Sequence, residues 1–195
     1  MRRTPTALIG LGLLTLAACS GSADPSAPPP APPPSSPTAT STAPTPSSSP
    51  TPTLPAMPEA AKAHTKAGAK AFVKYFWDVV NYAQATGDTA AITPTILPGC
   101  HACEAGVASI RRVYDAGGRM RGGDAQLSDV ADTLQRQHGR VFADVQYSIS
   151  VAPLTFDYPG TSRDSQEAAN ASRDRMRLTA TSTSEWRVAT FGALQ

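Results

Sequence analysis

The chain changes its hydrophobic period once along its length, and that change limits its fold more than any other feature. Ala69, Phe72, Val73, Phe76, Val79, Val80 and Ala83 recur at three- and four-residue spacing, which makes one apolar helical face. Trp77 lies on its margin, and Lys66, Lys70, Lys74, Asp78 and Asn81 line the other side. The spacing predicts a helix over 66–86, entered through Thr65 as a cap or from Pro58 further upstream, and ended by Gly87. Asp88 can cap a short turn through Ala90-Ala91-Ile92. A further helix is predicted from about His101 to Asp115, with Cys103, Val107, Ile110 and Tyr114 as its stripe and Gly117-Gly118 as its stop. Beyond it the period becomes two. Val141, Ala143, Val145, Tyr147, Ile149 and Val151 alternate with Phe142, Asp144, Gln146, Ser148 and Ser150, the pattern of a strand with one buried face.

Residues 125–135 read as the hairpin partner of that strand, turning at Gln137-His138-Gly139, with imperfect alternation that marks a bulge. Met176, Leu178 and Ala180 mark another strand, and Trp186, Val188 and Thr190 the last, with Ser184-Glu185 at the turn between them. The stretch from Pro153 to Arg173 is polar and broken by Pro and Gly, so it reads as a mobile loop. Helices first and an antiparallel meander second is an α+β order. The expectation is long N-terminal helices packed on a curved antiparallel sheet of about four strands. It occupies one domain, residues 59–195, whose 137 residues are close to the commonest domain size.

The residues ahead of that domain carry an address. Arg2 and Arg3 precede an apolar run from Ala7 to Leu16, and Leu16-Ala17-Ala18 leads to Cys19. A charged start, a short apolar stretch and small residues before a cleavage point make a secretory signal. The run is too short to span a bilayer as a helix, which argues against an uncleaved anchor. Pro5 and Thr6 favour the general secretory route over twin-arginine export. Leu-Ala-Ala-Cys resembles a bacterial lipobox, which implies removal of residues 1–18 and a diacylglyceryl thioether on Cys19. Two acyl chains hold a protein stably at a bilayer, where one chain is marginal. The chain has 17 Lys+Arg and 15 Asp+Glu, and loss of Arg2 and Arg3 leaves 15 of each. With no basic stripe left to follow a phosphate backbone, a nucleic-acid partner is not expected.

Residues 19–58 are the lipidated start and a low-complexity linker. From 20 to 58 the chain holds 14 of its 19 prolines and 15 Ser+Thr, with Asp24 as the one charge. Such a segment cannot bury enough surface to offset its ordering entropy. Pro28-Pro29-Pro30 and Pro32-Pro33-Pro34 favour extended polyproline II. The reading is a disordered spacer lifting a domain away from the outer face of the cell membrane, and the same composition also suits O-glycosylation.

The domain also resembles a known family. Gly68-Ala69-x-Ala71-Phe72, Asn81-Tyr82-Ala83-x-x-Thr86-Gly87-Asp88, Cys100-x-x-Cys103 and Tyr114-x-x-Gly117-Gly118 are similar to a family of bacterial secreted lipoprotein domains of unknown function. The resemblance covers about residues 58–195 and is densest from 65 to 123. It implies export, a lipid anchor and a fold like the nuclear-transport-factor-2 cone, a curved sheet around a long N-terminal helix. It implies no activity, and fold analogy supplies none.

Three cysteines are present, and lipid on Cys19 leaves Cys100 and Cys103, for which an oxidising compartment makes a structural disulfide the expectation. A catalytic thiol pair is the sharper alternative, since a helix N-terminus and His101 would stabilise a thiolate, but no thioredoxin-like pattern surrounds it. His64 and His138 have no paired spacing for zinc, and Glu104 stands where haem attachment needs histidine. No metal or other cofactor is expected. Asp78 and Asp144, with Tyr75, Tyr82, Tyr114 and Tyr147, are the groups a proton-transfer enzyme of this fold would draw on. Asp144 and Tyr147 face opposite sides of one strand, so no catalytic set emerges. Phe72, Phe76, Val80 and Tyr147 are the candidate wall of a cavity between helix and sheet. The expected function is a membrane-anchored, non-enzymatic binding module with a protein or cell-wall polymer partner. A small-molecule carrier or enzyme using the cavity is the alternative, and a thiol–disulfide protein comes after it.

Overall fold

A computed structural model describes residues 51–181 and 185–194. Cys19, the signal residues 1–18, the linker up to residue 50 and Ser184 lie outside the described residues.

Three helices come first: α1 (Glu59–Lys62), α2 (Lys66–Thr86) and α3 (His101–Asp115), with a single 3-10 turn at Thr93–Thr95 before α3. Thr65 begins α2 by accepting a 3.0 Å hydrogen bond from the Gly68 amide, which removes one of the unpaired donors at a helix start. Gly87 ends it at φ 81°, donating its N–H to the Ala83 carbonyl. A side chain at Gly87 would meet the Tyr114 ring at 2.5 Å, so both backbone conformation and space call for glycine there. The buried face of α2 includes Ala69, Phe72, Val73, Phe76, Val79 and Ala83, as its periodicity predicts. Asp88 Oδ1 accepts from the Ala90 amide at 2.9 Å and starts the descent to α3.

Seven strands follow: β1 (Arg119–Gly122), β2 (Ala125–Gln137), β3 (Arg140–Val151), β4 (Leu154–Asp157), β5 (Ser165–Glu167), β6 (Asn170–Thr181) and β7 (Arg187–Ala193). They form two antiparallel sheets, one in the order β2-β3-β6-β7 and one in the order β1-β4-β5. The β2–β3 hairpin turns through His138 and Gly139, both at positive φ (49° and 72°), which matches the twist of the flanking strands. Its register shifts between Ser128 and Ala131, with Asp129 at φ 51° in the bulge.

This departs from the expected fold. In place of long helices on one curved sheet of about four strands, the described chain is mostly antiparallel β-structure in two sheets. Of the helices only α2, at 21 residues, is long; α3 has 15 and α1 has 4. The nuclear-transport-factor-2-like cone is therefore the wrong description. The missing pieces lie where no side-chain period could reveal them. The stretch 153–173, read as a loop, contains β4, β5 and the first residues of β6. β1 and β4 have four residues each and β5 three, too few for a period of two to register. Their pairing is long-range, Arg119 opposite Asp157 and Leu154 opposite Glu167.

The core lies between α2 and the inner face of the larger sheet. Val145, Tyr147 and Ile149 of β3, Met176 and Leu178 of β6 and Val188 of β7 are buried beneath Phe72, Phe76 and Val79. Trp186 closes one end: its Nε1 donates to the Ala63 carbonyl at 3.0 Å and its ring meets His64 edge-on at 5.3 Å.

Candidate functional site

Four elements leave a cavity between them. α2 and α3 form two walls, the small sheet forms the third, and β7 contributes the ring of Phe191. Its volume is about 280 Å³, near the lower end of small-ligand sites. From α2 come Phe76, Trp77, Val80 and Gln84; from α3 come Ala102, Cys103, Gly106, Val107, Ser109 and Ile110. Met120 of β1 and Leu154 and Phe156 of β4 face them, with Glu167 of β5 the one carboxylate in the lining. The aromatic side is ordered by edge-on contacts: Trp77 stands 5.9 Å from both Phe76 and Phe191, and 6.4 Å from Tyr147 behind it.

Gly106 shapes the α3 wall. It sits inside the helix, where glycine is unfavourable by about 0.5–1 kcal/mol relative to alanine. Nothing lies within 4 Å of where its Cβ would be, so packing does not demand glycine there. A larger side chain would occupy the cavity.

Three buried polar atoms on the α2 side lack a hydrogen-bond partner: Trp77 Nε1, Gln84 Oε1 and Tyr147 Oη. A buried polar group without a partner is costly, by about 1–3 kcal/mol, so each calls for an explanation. Trp77 Nε1 approaches the Tyr147 hydroxyl closely enough to favour its ionised form, yet the pair misses hydrogen-bond geometry. Burial dominates and pushes the Tyr147 phenol well above its ordinary value, with the Asp174 carboxylate adding to the rise. Tyr147 therefore stays a neutral donor. Gln84 is fixed at its backbone, where its carbonyl accepts from the Tyr114 hydroxyl at 2.6 Å, while its side-chain oxygen is buried behind the cavity lining without a partner.

The four candidate wall residues divide. Phe76 and Val80 line the cavity; Phe72 and Tyr147 are fully buried and outside its lining. Tyr147 reaches the site only through Trp77. Cys100 and Cys103 are joined in a disulfide at the start of α3, and Cys103 lines the cavity. The Gly99 amide donates to Glu104 Oε1 at 2.9 Å, holding the same turn. The other side chains weighed for chemistry are elsewhere. Asp144 pairs with Arg177 at 3.1 Å on the outer sheet face, and Asp78 pairs with Lys74 at 3.5 Å. The Tyr82 hydroxyl donates to Asp88 at 3.4 Å. Tyr75 is buried, and burial followed by the Glu185 charge raises its phenol. No group of three or more His, Cys, Asp or Glu capable of holding a metal occurs among the described residues, and no described helix is long and apolar enough to cross a membrane.

A second depression, about 960 Å³, lies on the surface beside α3, between Ile96-Leu97-Pro98 and Arg111, Arg112 and Arg187. It is larger, but it is a shallow groove without the unmatched buried polar atoms that mark the smaller cavity. The sequence pattern predicts α3 and its Cys103, Val107 and Ile110 stripe but does not place them at a cavity, and it misses β1 and β4, which are too short to show a period. Gly106 inside a predicted helix was the one available signal.

Two solved structures are similar at low identity. The intermembrane-space region of the chloroplast protein ARC6 is 13% identical, with 67% of this chain and 96% of that chain covered and a TM-score of 0.47. Aln2 from a Streptomyces species is 15% identical, with 61% and 84% covered and a TM-score of 0.35. No curated protein matches the chain. A family match does exist and covers most of the residues, 38–191, so the chain belongs to DUF6318, a family of unknown function.

Proposed function

We propose that the folded part of this chain is a non-enzymatic binding module for a small, largely apolar molecule. It would be carried at the outer face of the cell membrane by a lipid on Cys19 and a Pro/Ser/Thr spacer. The observation that carries the binding reading is the cavity of about 280 Å³, whose lining is largely apolar with Gln84, Ser109 and Glu167 among its few polar side chains. An apolar lining with one or two placed polar groups is the usual design of a small-molecule site. The address rests on Arg2, Arg3, the apolar run and the Leu-Ala-Ala-Cys sequence. Against enzymatic use of the site, its one lining carboxylate, Glu167, is exposed, and its lining hydroxyl, Ser109, has no histidine among the lining residues to act as its base.

The test uses N-phenyl-1-naphthylamine, a neutral dye with one N–H donor that fluoresces in apolar surroundings. Saturable enhancement with the purified protein, lost in Gly106→Leu with the far-ultraviolet spectrum unchanged, supports the reading. No saturable enhancement, or equal binding by the variant, overturns it. Metabolic labelling with a palmitate analogue tests the anchor: label lost in Cys19→Ser is the expected result, and absence of label on the unaltered protein refutes it.

A further inference from the structure

The outer face of the larger sheet concentrates positive charge along one strand. Arg173, Arg175 and Arg177 alternate on β6 with the inward-facing Asp174 and Met176, and all three are exposed. Alternate residues on a strand point the same way about 6.5–7 Å apart, so the three arginine side chains leave the sheet in one row. The neighbours across the ladder leave two of them without a counter-charge. Arg173 is opposite Ser148, and Arg175 lies between Gln146 and Gly192. Of the three, Arg177 has an acidic partner among the described residues, Asp144 at 3.1 Å. The row continues into Arg187, opposite Thr179, and Arg140, opposite Thr181. The acids near it are Asp144, Asp129 in the β2 bulge, whose carboxylate accepts from Ser148 Oγ at 3.2 Å, and Glu185 at the far end beside Arg140 and Arg187.

Like charges lined up on one face are unfavourable for folding alone. Gln146, Ser148 and Gly192 occupy the positions where an acid would have offset them. Gly192 adds an independent observation. It takes ordinary backbone angles, nothing lies within 4 Å of a Cβ placed on it, and it faces outward beside Arg175. A glycine inside a strand lacks a side chain to pack and often marks a bulge, a tight bend or close approach of a ligand or another backbone; the bulge in β7 falls at Ala189, three residues away, rather than at Gly192. Here it leaves a gap in the sheet surface at the middle of the arginine row. This row corrects the expectation, drawn from overall charge balance alone, that the chain carries no basic stripe able to follow a phosphate backbone.

We infer that this face docks a linear phosphodiester polymer, with successive phosphates seated on Arg173, Arg175 and Arg177. The repeat of the row matches a chain carrying one negative charge per extended repeat of about 6–7 Å. Its narrowness suits a thread better than a planar headgroup surface. Arginine is suited to the role because its planar fork of donors matches phosphate oxygens.

The experiment titrates full-length protein, purified in detergent micelles, with fluorescent poly(glycerol phosphate) at several salt concentrations. Three seated phosphates give a log–log salt slope of about −2, taking roughly 0.7 per charge on a single flexible strand. In the double variant Arg173→Gln/Arg175→Gln the slope falls to about −0.7 and affinity at low salt drops roughly tenfold. Gly192→Leu weakens binding several-fold at constant charge. Arg112→Gln/Arg119→Gln, which removes the same charge from α3 and β1, leaves binding unchanged. Equal loss in that control pair, unchanged binding in Arg173→Gln/Arg175→Gln, or binding to phosphatidylglycerol vesicles with none to the polymer would each overturn the inference.

Discussion

Replacing Gly106 probes the α3 helix and the cavity beside it in one series. In Gly106→Ala the backbone already has helical geometry and no atom lies within 4 Å of the new methyl group. The change should therefore return the propensity difference, about 0.5–1 kcal/mol, with no clash to subtract from it. For a domain of this size that corresponds to a rise in Tm of about 2–4 °C. Gly106→Leu has a similar propensity and places its side chain in the 280 Å³ cavity, against Phe76, Val80 and Phe156. Partial burial of the leucine adds about 1 kcal/mol, roughly a third to two-thirds of what full burial contributes. Calorimetry at one pH and one protein concentration should therefore rank the melting points glycine, alanine, leucine from lowest to highest. The dye titration should give no change in the alanine variant's capacity and loss of binding in the leucine variant. A leucine variant that melts below the unaltered protein would mean that the cavity is already filled. One that is stabilised and still binds dye would place the binding site elsewhere.

Three other changes test separate parts of the structure. Breaking the Cys100–Cys103 bridge with paired serines should cost at most about 2 kcal/mol in chemical denaturation, because it closes a loop of only four residues; a loss of 4 kcal/mol or more would show that it holds more than a turn. Thr65→Ala removes the α2 cap and should lower stability by about 0.5–2 kcal/mol, with Thr65→Ser recovering most of it. Tyr147→Phe deletes a buried hydroxyl that has no partner, so it should be neutral or stabilising by up to about 1 kcal/mol near pH 7. The same variant has a pH signature. The folded Tyr147 phenol is raised above its ordinary value of 10.0, so the folded state holds its proton while the unfolded chain releases it. That contribution is intact below pH 10 and is lost as pH climbs above it, so alkaline destabilisation should be shallower in Tyr147→Phe. Parallel stability curves for the two proteins above pH 10 would contradict this.

What could be read from the sequence follows the length of each element. The α2 boundaries, the bulged β2–β3 hairpin and its turn at residues 138–139 were legible because each runs long enough for a period or a turn signal to repeat. The second sheet was not, because β1, β4 and β5 are held by backbone pairing between residues more than 30 positions apart in the first two strands. Without that sheet the cavity had no third wall, so a candidate wall drawn from α2 and β3 included Phe72 and Tyr147, which the core absorbs. The arginine row escaped for a related reason. Arg173 fell in the stretch read as loop and Arg175 and Arg177 in the following strand, so a pattern of three was split across a boundary.

Glycine offers a way to separate what folding requires from what is left for function. Of the 11 glycines among the described residues, seven have positive φ, and Gly68 and Gly118 have neighbours too close to admit a side chain. For those nine, the backbone or its packing accounts for the residue. Gly106 and Gly192 satisfy neither condition: each sits inside a regular element, where glycine is unfavourable, and each has open space where a side chain would be. One opens the cavity wall and the other opens the sheet surface beside Arg175. The two positions lie on different surfaces, so the small-molecule site and the polymer-docking face can be disabled separately. Gly106→Leu should abolish dye binding and leave polymer affinity and its salt slope of about −2 unchanged, and Gly192→Leu should weaken polymer binding several-fold and leave dye binding intact. Loss of both activities in either variant would mean a single site, or a fold too fragile to accept a side chain at a position where the structure leaves room for one.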